Sequence, residues 1–144
     1  MLIRDILARK GTTVITVPPE TGLREVVDTM LKNNVGAVIV TEGTEVLGMF
    51  TERDNLRLTA DRGVDLNTAT VGPHMITDLV IGLPADRVAA TMTIMTEKRI
   101  RHLPIMSDGL LVGIVSIGDV VKAMADQQEH EIHFLKNYIS GEIS

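Results

Sequence analysis

The chain has no cysteine and no tryptophan, and its only aromatic side chains are Phe50, Phe134 and Tyr138. Without thiols there is no disulfide scaffold, thiolate nucleophile or zinc-thiolate site, and no need of an oxidising compartment, so a cytoplasmic location is expected. Basic residues are also in deficit, 14 against 19 acidic ones for a net charge of −5. With so few rings to stack on bases and so little positive surface to neutralise phosphates, a polynucleotide partner is not expected. Long apolar runs are missing as well. The longest uncharged one, Leu110 to Gly118, is under half the length that crosses a bilayer, and Arg4, Asp5, Arg9 and Lys10 interrupt any secretory h-region. No membrane partner is expected.

What is present is a chain of 144 residues, one ordinary domain's worth, with an internal repeat. Displaced by 65 positions, residues 12–60 fall on 77–125 without a gap, with identities at Thr12/Thr77, Pro19/Pro84, Met30/Met95, Gly48/Gly113, Asp54/Asp119 and Ala60/Ala125. The apolar phase agrees too, as at Val14/Leu79, Ile15/Val80, Leu23/Val88, Val35/Ile100, Val38/Leu103 and Val40/Ile105. Each copy reads as strand, helix, strand, strand, helix, an α+β unit. In the first, Val14 to Thr16 forms a strand closed by Pro18 and Pro19. Thr21 caps a helix whose Leu23, Val26, Val27, Met30 and Leu31 follow helical spacing. Ala37 to Val40 and Val46 to Thr51 form a hairpin about Glu42 and Gly43. The second copy repeats this with Leu103 to Met106, a turn at Ser107, Asp108 and Gly109, and Leu110 to Ser116. The repeats are expected at 8–61 and 70–128, joined through 61–73, with the last helix running on to about Tyr138 and Gly141 as its stop. One copy of about 50 residues buries too little to be stable alone, so the two sheets pack face to face about a pseudo-twofold axis and leave two clefts.

Each third strand ends in the same pattern: Gly48-Met49-Phe50-Thr51-Glu52-Arg53-Asp54 and Gly113-Ile114-Val115-Ser116-Ile117-Gly118-Asp119. The hydroxyl stands at a helix N-cap and the carboxylate on the first turn, where free backbone N–H groups gather. Such a terminus can hold a phosphate while the carboxylate accepts a ribose diol, yet Ser/Thr-x-x-acid is also an ordinary capping box.

These two segments, with Arg99-Ile100-Arg101-His102-Leu103-Pro104-Ile105, resemble the cystathionine-β-synthase-type (CBS) domain as a tandem pair, over about residues 2–139. The chain looks most like small CBS-pair proteins with no attached enzyme, channel or transporter domain. The resemblance implies a CBS-pair fold of two β-α-β-β-α repeats and a sensor binding AMP, ADP, ATP, NAD(H) or S-adenosylmethionine as regulatory ligand, with no obligatory cofactor. In the family the Asp holds ribose, the Ser or Thr and nearby basic residues hold phosphate, and apolar residues of the opposing copy clamp adenine. Carried over, one cleft joins Thr12, Val14, Ile15, Val35 and Ala37 to Ser116 and Asp119. The other joins Leu79, Val80, Ile100 and Arg101 to Thr51, Arg53 and Asp54, with Arg101 and His102 near the axis as phosphate ligands. Gly36 and Ala37 match Arg101 and His102, and Gly118 matches Arg53, so the sites are inequivalent.

Other features carry less. His130-Glu131-Ile132-His133 departs from a zincin helix, which would place histidine where Phe134 stands, so no metal site is expected. Lys98 and Arg99 suit a helix C-terminus, and Met30, Met92 and Met95 suit a core or subunit interface. No nucleophile–base set or Walker loop is visible, so catalysis is not expected. The resemblance implies a homodimer, with contact candidates around Met92, Met95, Val121 and Met124, and an unidentified regulated protein as partner. The alternative is a ligand-free interaction scaffold.

Overall fold

The computed structural model describes residues 1–140. The elements in chain order are α1 (Ile3–Lys10), β1 (Thr16–Val17), α2 (Leu23–Asn33), β2 (Ala37–Glu42), β3 (Glu45–Thr51) and α3 (Glu52–Ala60). A 3-10 turn (Gly72–His74) follows, then α4 (Val88–Lys98), β4 (His102–Ser107), β5 (Leu110–Ser116) and α5 (Ile117–Ser140). The expected α+β double repeat is therefore present, and the stop placed at Gly141 lies outside the described residues.

Alternation along the strands builds the molecule. Val38, Val40 and Phe50 face the helices of the first repeat with Leu23, Val26 and Met30, while Leu103, Ile105 and Val115 face those of the second with Val88, Met95 and Val120. The opposite faces meet each other: Ala37, Ile39 and Met49 pack with Val14, Leu79, Leu111 and Ile114. Both sheet faces are thus covered, and the halves share one interior. Hairpins β2–β3 and β4–β5 are antiparallel, each with a register shift at the same relative place, Val40/Thr41 and Ile105/Met106. The second turn uses Asp108 at φ 52° and Gly109 at φ 77°, the paired positive φ of a tight hairpin.

The copies differ at their first strands. In the first, β1 is Thr16–Val17 rather than Val14 to Thr16, and it lies parallel to β2, with Ile39 N–H donating to Ile15 O at 3.0 Å. The residue matching Ile39 is Pro104, which has no N–H to donate, so the equivalent bond to Val80 cannot form. Pairing shrinks to one bridge, Gly82 with Ile105, and the second sheet keeps two strands instead of three. Thr21 does not cap α2; the N-caps are Gly22 and its counterpart Arg87, neither with a side-chain bond.

The N-terminal helix α1 was not foreseen as an element, and it belongs spatially to the second repeat. Ile3, Ile6 and Leu7 are buried in that repeat's core. Ile3 N–H and Arg4 N–H donate to Asp86 O and Pro84 O, both at 2.9 Å. Gly113 permits this approach, since a Cβ there would stand 2.7 Å from Leu7 Cδ2. Its twin Gly48 meets the segment after the 3-10 turn instead, where a Cβ would lie 2.6 Å from the carbonyl oxygen of Ile76. The repeated glycine thus admits a different covering segment in each half.

Candidate functional site

Sequence dictates the two helix starts that carry the repeated hydroxyl and carboxylate. Thr51 leaves β3 extended and caps α3: its N–H donates to Asp54 Oδ2 at 2.9 Å, and its hydroxyl donates to the same oxygen at 2.8 Å. Asp54 N–H returns a bond to Thr51 Oγ1 at 3.3 Å. Ser116 and Asp119 repeat the reciprocal pair at the head of α5, at 2.8 and 3.1 Å. The capping box is therefore real in both copies. At Asp54 it occupies one carboxylate oxygen, and Oδ1 makes no hydrogen bond to a described residue.

Around Asp54 opens a cavity of about 680 Å³, within the range of small-molecule sites. Its walls come from three places. The first repeat supplies Met49, the cap Thr51 and the α3 residues Arg53, Asp54 and Arg57, the segment after the 3-10 turn supplies Ile76, and α4's end and β4's start supply Arg99, Ile100, Arg101 and His102. The expected grouping of Thr51, Arg53, Asp54, Ile100, Arg101 and His102 is thus brought together. Leu79 and Val80 are not at this wall: Leu79 packs between the sheets and Val80 against the second core, and Ile76 and Met49 provide the apolar surface in their place. Arg99 and Arg57 were missed as site residues. Arg99, the left-handed C-cap of α4 at φ 54°, is exposed as a helix-terminal cation and also lines the cavity, and its carbonyl accepts from Arg53 Nη1 at 3.5 Å. Arg57 lies one helical turn after Arg53, a spacing that would have revealed it.

Electrostatically this wall departs from the rest of the molecule. Arg53, Arg57, Arg99 and Arg101 face only Glu52 and Asp54 there, on a chain whose net charge is −5. Guanidinium groups gathered in a cleft raise the local concentration of anions and grip phosphate through paired N–H donors. His102 stands beside the axis, where Gly36 makes room for it: a Cβ on Gly36 would lie 3.0 Å from Nε2. Burial is the largest influence on this imidazole and holds it below its usual pKa. Glu52 and Asp119 oppose the shift, while Lys10 and Arg101 add to it.

The second cleft is different. Lys10, at the end of α1, donates to Asp119 Oδ2 at 2.7 Å and to Ile114 O at 2.9 Å. Burial works against ionisation of Asp119, but the Lys10 and Ser116 hydrogen bonds outweigh it and hold the carboxyl below its usual range. Arg9 lies 3.7 Å from Asp126 and adds a second tie between α1 and α5. A cavity of about 160 Å³ lies beside this pair, lined by Met1 and by residues of α1 and α5. None of Thr12, Val14, Ile15, Val35, Ala37 or Ser116 lines it. Ala37 and Val14 are packed between the sheets, Ile15 and Val35 against the first core, and Thr12 is exposed. Of that predicted grouping only Asp119 lines this cavity, and its carboxylate is held by Lys10 of α1.

Among the described residues no group of His, Asp and Glu could hold a metal ion, and no helix is long and apolar enough to cross a membrane.

Comparison with known proteins gives a consistent answer. The model of the CBS domain family matches residues 3–57 and 71–126. A mitochondrial CBS domain-containing protein of Arabidopsis thaliana is 33% identical over 148 residues, covering 96% of this chain and 72% of its own. The crystal structure of a CBS-domain-containing protein from Agrobacterium tumefaciens superposes with a TM-score of 0.83 at 39% identity, over 86% of this chain and 99% of that one. A CBS domain protein from Pyrobaculum aerophilum, solved in complex with AMP, matches at 27% identity and a TM-score of 0.73, over 83% and 89% of the two chains.

Proposed function

Because the chain belongs to the CBS domain family, we propose that it is a regulatory module whose Asp54 cleft binds an anionic adenine nucleotide: AMP, ADP, ATP or NAD(H). The observation that carries this reading is the convergence of four arginines and Asp54 on one cavity between the repeats. In it the carboxylate accepts the ribose hydroxyls, Arg53, Arg99 and Arg101 hold phosphate with Thr51, and Ile76, Met49 and Ile100 cover the base. The Pyrobaculum relative bound to AMP supports the ligand class. The same arginines disfavour the cationic sulfonium of S-adenosylmethionine. The role is regulatory rather than catalytic, exerted as a homodimer on a protein partner.

For AMP, about 23 non-hydrogen atoms at roughly 0.3 kcal/mol each give about −7 kcal/mol, a Kd on the order of 10 μM. Nucleotide at about 100-fold excess over that Kd raises unfolding free energy by about 2.7 kcal/mol. A thermal melt with 1 mM AMP, ATP, NAD or S-adenosylmethionine tests the reading. The phosphorylated ligands should raise Tm by several degrees and S-adenosylmethionine by less. No shift with any of them would favour the scaffold reading, for which Lys10 filling the second site is the supporting observation.

Two further outcomes follow from the asymmetry of the clefts. Lys10→Met removes the cation seated on Asp119, and the variant should take up a second equivalent of AMP by calorimetry where the parent takes one. A stoichiometry unchanged at one would show that α1 itself, not its lysine, closes that cleft.

The second outcome concerns His102. Its folded pKa is depressed, so the unfolded chain binds more protons below about pH 6.5, and stability falls as pH drops through that point. A phosphate beside the ring stabilises imidazolium and reverses the shift on binding. AMP affinity should therefore rise between about pH 7.5 and 6, with proton uptake visible as a buffer-dependent binding enthalpy. His102→Gln should flatten both dependences; a wild-type affinity independent of pH would remove His102 from the phosphate site.

A further inference from the structure

Beyond the second repeat's core, α5 continues as an exposed helix. Val120 and Ala123 on its inner side are buried, whereas residues 127–136 are all exposed. Its outward residues Val121, Ala125, Gln128, Ile132 and Leu135 recur at steps of four, three, four and three, and Ile139 continues the spacing in the sequence. This is the period of a two-stranded coiled-coil seam. Val121, Ile132 and Leu135 are 44%, 48% and 56% exposed, so the seam has no partner within the described chain.

We propose that this stripe is the site of a parallel, in-register pairing with α5 of a second copy of the chain. Charge flanking the seam supports that occupant. Glu131 and Lys136 take the two flanking positions that meet across a parallel pair, so each faces its opposite in the partner, and the twofold makes the contact twice. Neither has an oppositely charged residue three or four positions away in the direction their own helix would need: Phe134 and Leu135 follow Glu131, and Ile132 and His133 precede Lys136. Neither belongs to an ion pair among the described residues. Parallel register also sets Gln128 against its own counterpart, a polar pair that fixes alignment, and lets every seam position meet its equivalent. The surface is distinct from the nucleotide cleft and stands whether or not that cleft binds.

The cysteine-free chain makes the test clean. Val121→Cys and Ile132→Cys, prepared as two single variants of the full chain, should each form a disulfide-linked dimer under mild oxidation, because a parallel seam places both pairs together. In a second arm, Ile132→Asp combined with Leu135→Asp should weaken self-association at least tenfold in sedimentation equilibrium, with helix content and AMP-induced Tm shift retained. Failure of either cysteine to cross-link, or an unchanged dimer constant in the double aspartate variant, would overturn the proposal; so would a monomeric parent.

Discussion

Asp54→Ala is expected to weaken AMP binding by about 1.5–3 kcal/mol, roughly ten- to 150-fold, through loss of charge-assisted hydrogen bonds to the ribose. The same side chain closes the capping box of α3, so part of the loss could arise from a loosened helix start, which costs about 0.5–2 kcal/mol by itself. Two controls divide these effects. Thr51→Val removes the hydroxyl cap while leaving the carboxylate, and Asp54→Asn retains an acceptor for Thr51 N–H while removing the charge. If the carboxylate holds the ligand, Asp54→Asn loses most of the affinity at a smaller cost in Tm than Asp54→Ala. Equal affinities for the parent, Asp54→Ala and Asp54→Asn, measured by calorimetry, would remove Asp54 from the site. Asp119→Ala should leave the affinity for the first equivalent of AMP within about twofold, since Lys10 already occupies that carboxylate.

Phe50→Ala is expected to produce the largest loss of stability, about 3–5 kcal/mol in urea or thermal unfolding. Among the residues whose burial is described, Phe50 is the one aromatic side chain in the core, fully buried on the helix-facing side of β3 among Val38, Val40, Leu23 and Val26. Deleting the ring leaves a cavity in this close-packed cluster, whose neighbours relax only in part. Phe50→Leu keeps most of the volume and should cost under about 1.5 kcal/mol. The position also matters to the site, because Phe50 immediately precedes Thr51 and holds the end of β3 against the core. Phe50→Ala should therefore weaken AMP binding as well, through disorder of the α3 start, whereas Phe50→Leu should not. Similar stability losses for the two variants would show that volume at this position is not what supports the fold.

The repeat and its binding motif were legible because they are written in local chemistry. Period-two apolar runs mark the hairpins, and the hydroxyl and acid three residues apart mark the helix starts, each feature appearing twice at one displacement. What escaped depended on contacts between segments distant in sequence. Eight residues of α1 carry no signal that they cover the second repeat, so the lysine that fills Asp119 looked like an ordinary terminal charge. Arg99 sits at a helix C-terminus, where a cation needs no further explanation, and only the meeting of the repeats turns it toward the Asp54 cavity. Leu79 and Val80 satisfied the repeat's register, but Pro104 prevents the strand pairing that their counterparts exploit. Leu79 and Val80 nevertheless pack as Val14 and Ile15 do, between the sheets and against their own repeat's core, rather than at the cavity wall. The same departures from symmetry distinguish the two clefts.

That distinction is tested most directly by a crystal structure of the chain grown with excess AMP. The nucleotide should occupy only the cleft at Asp54, its ribose hydroxyls on that carboxylate and its phosphate among Arg53, Arg99 and Arg101, with Lys10 still seated on Asp119. AMP bound at Asp119 with Lys10 displaced, and the Asp54 cleft left without it, would contradict the account.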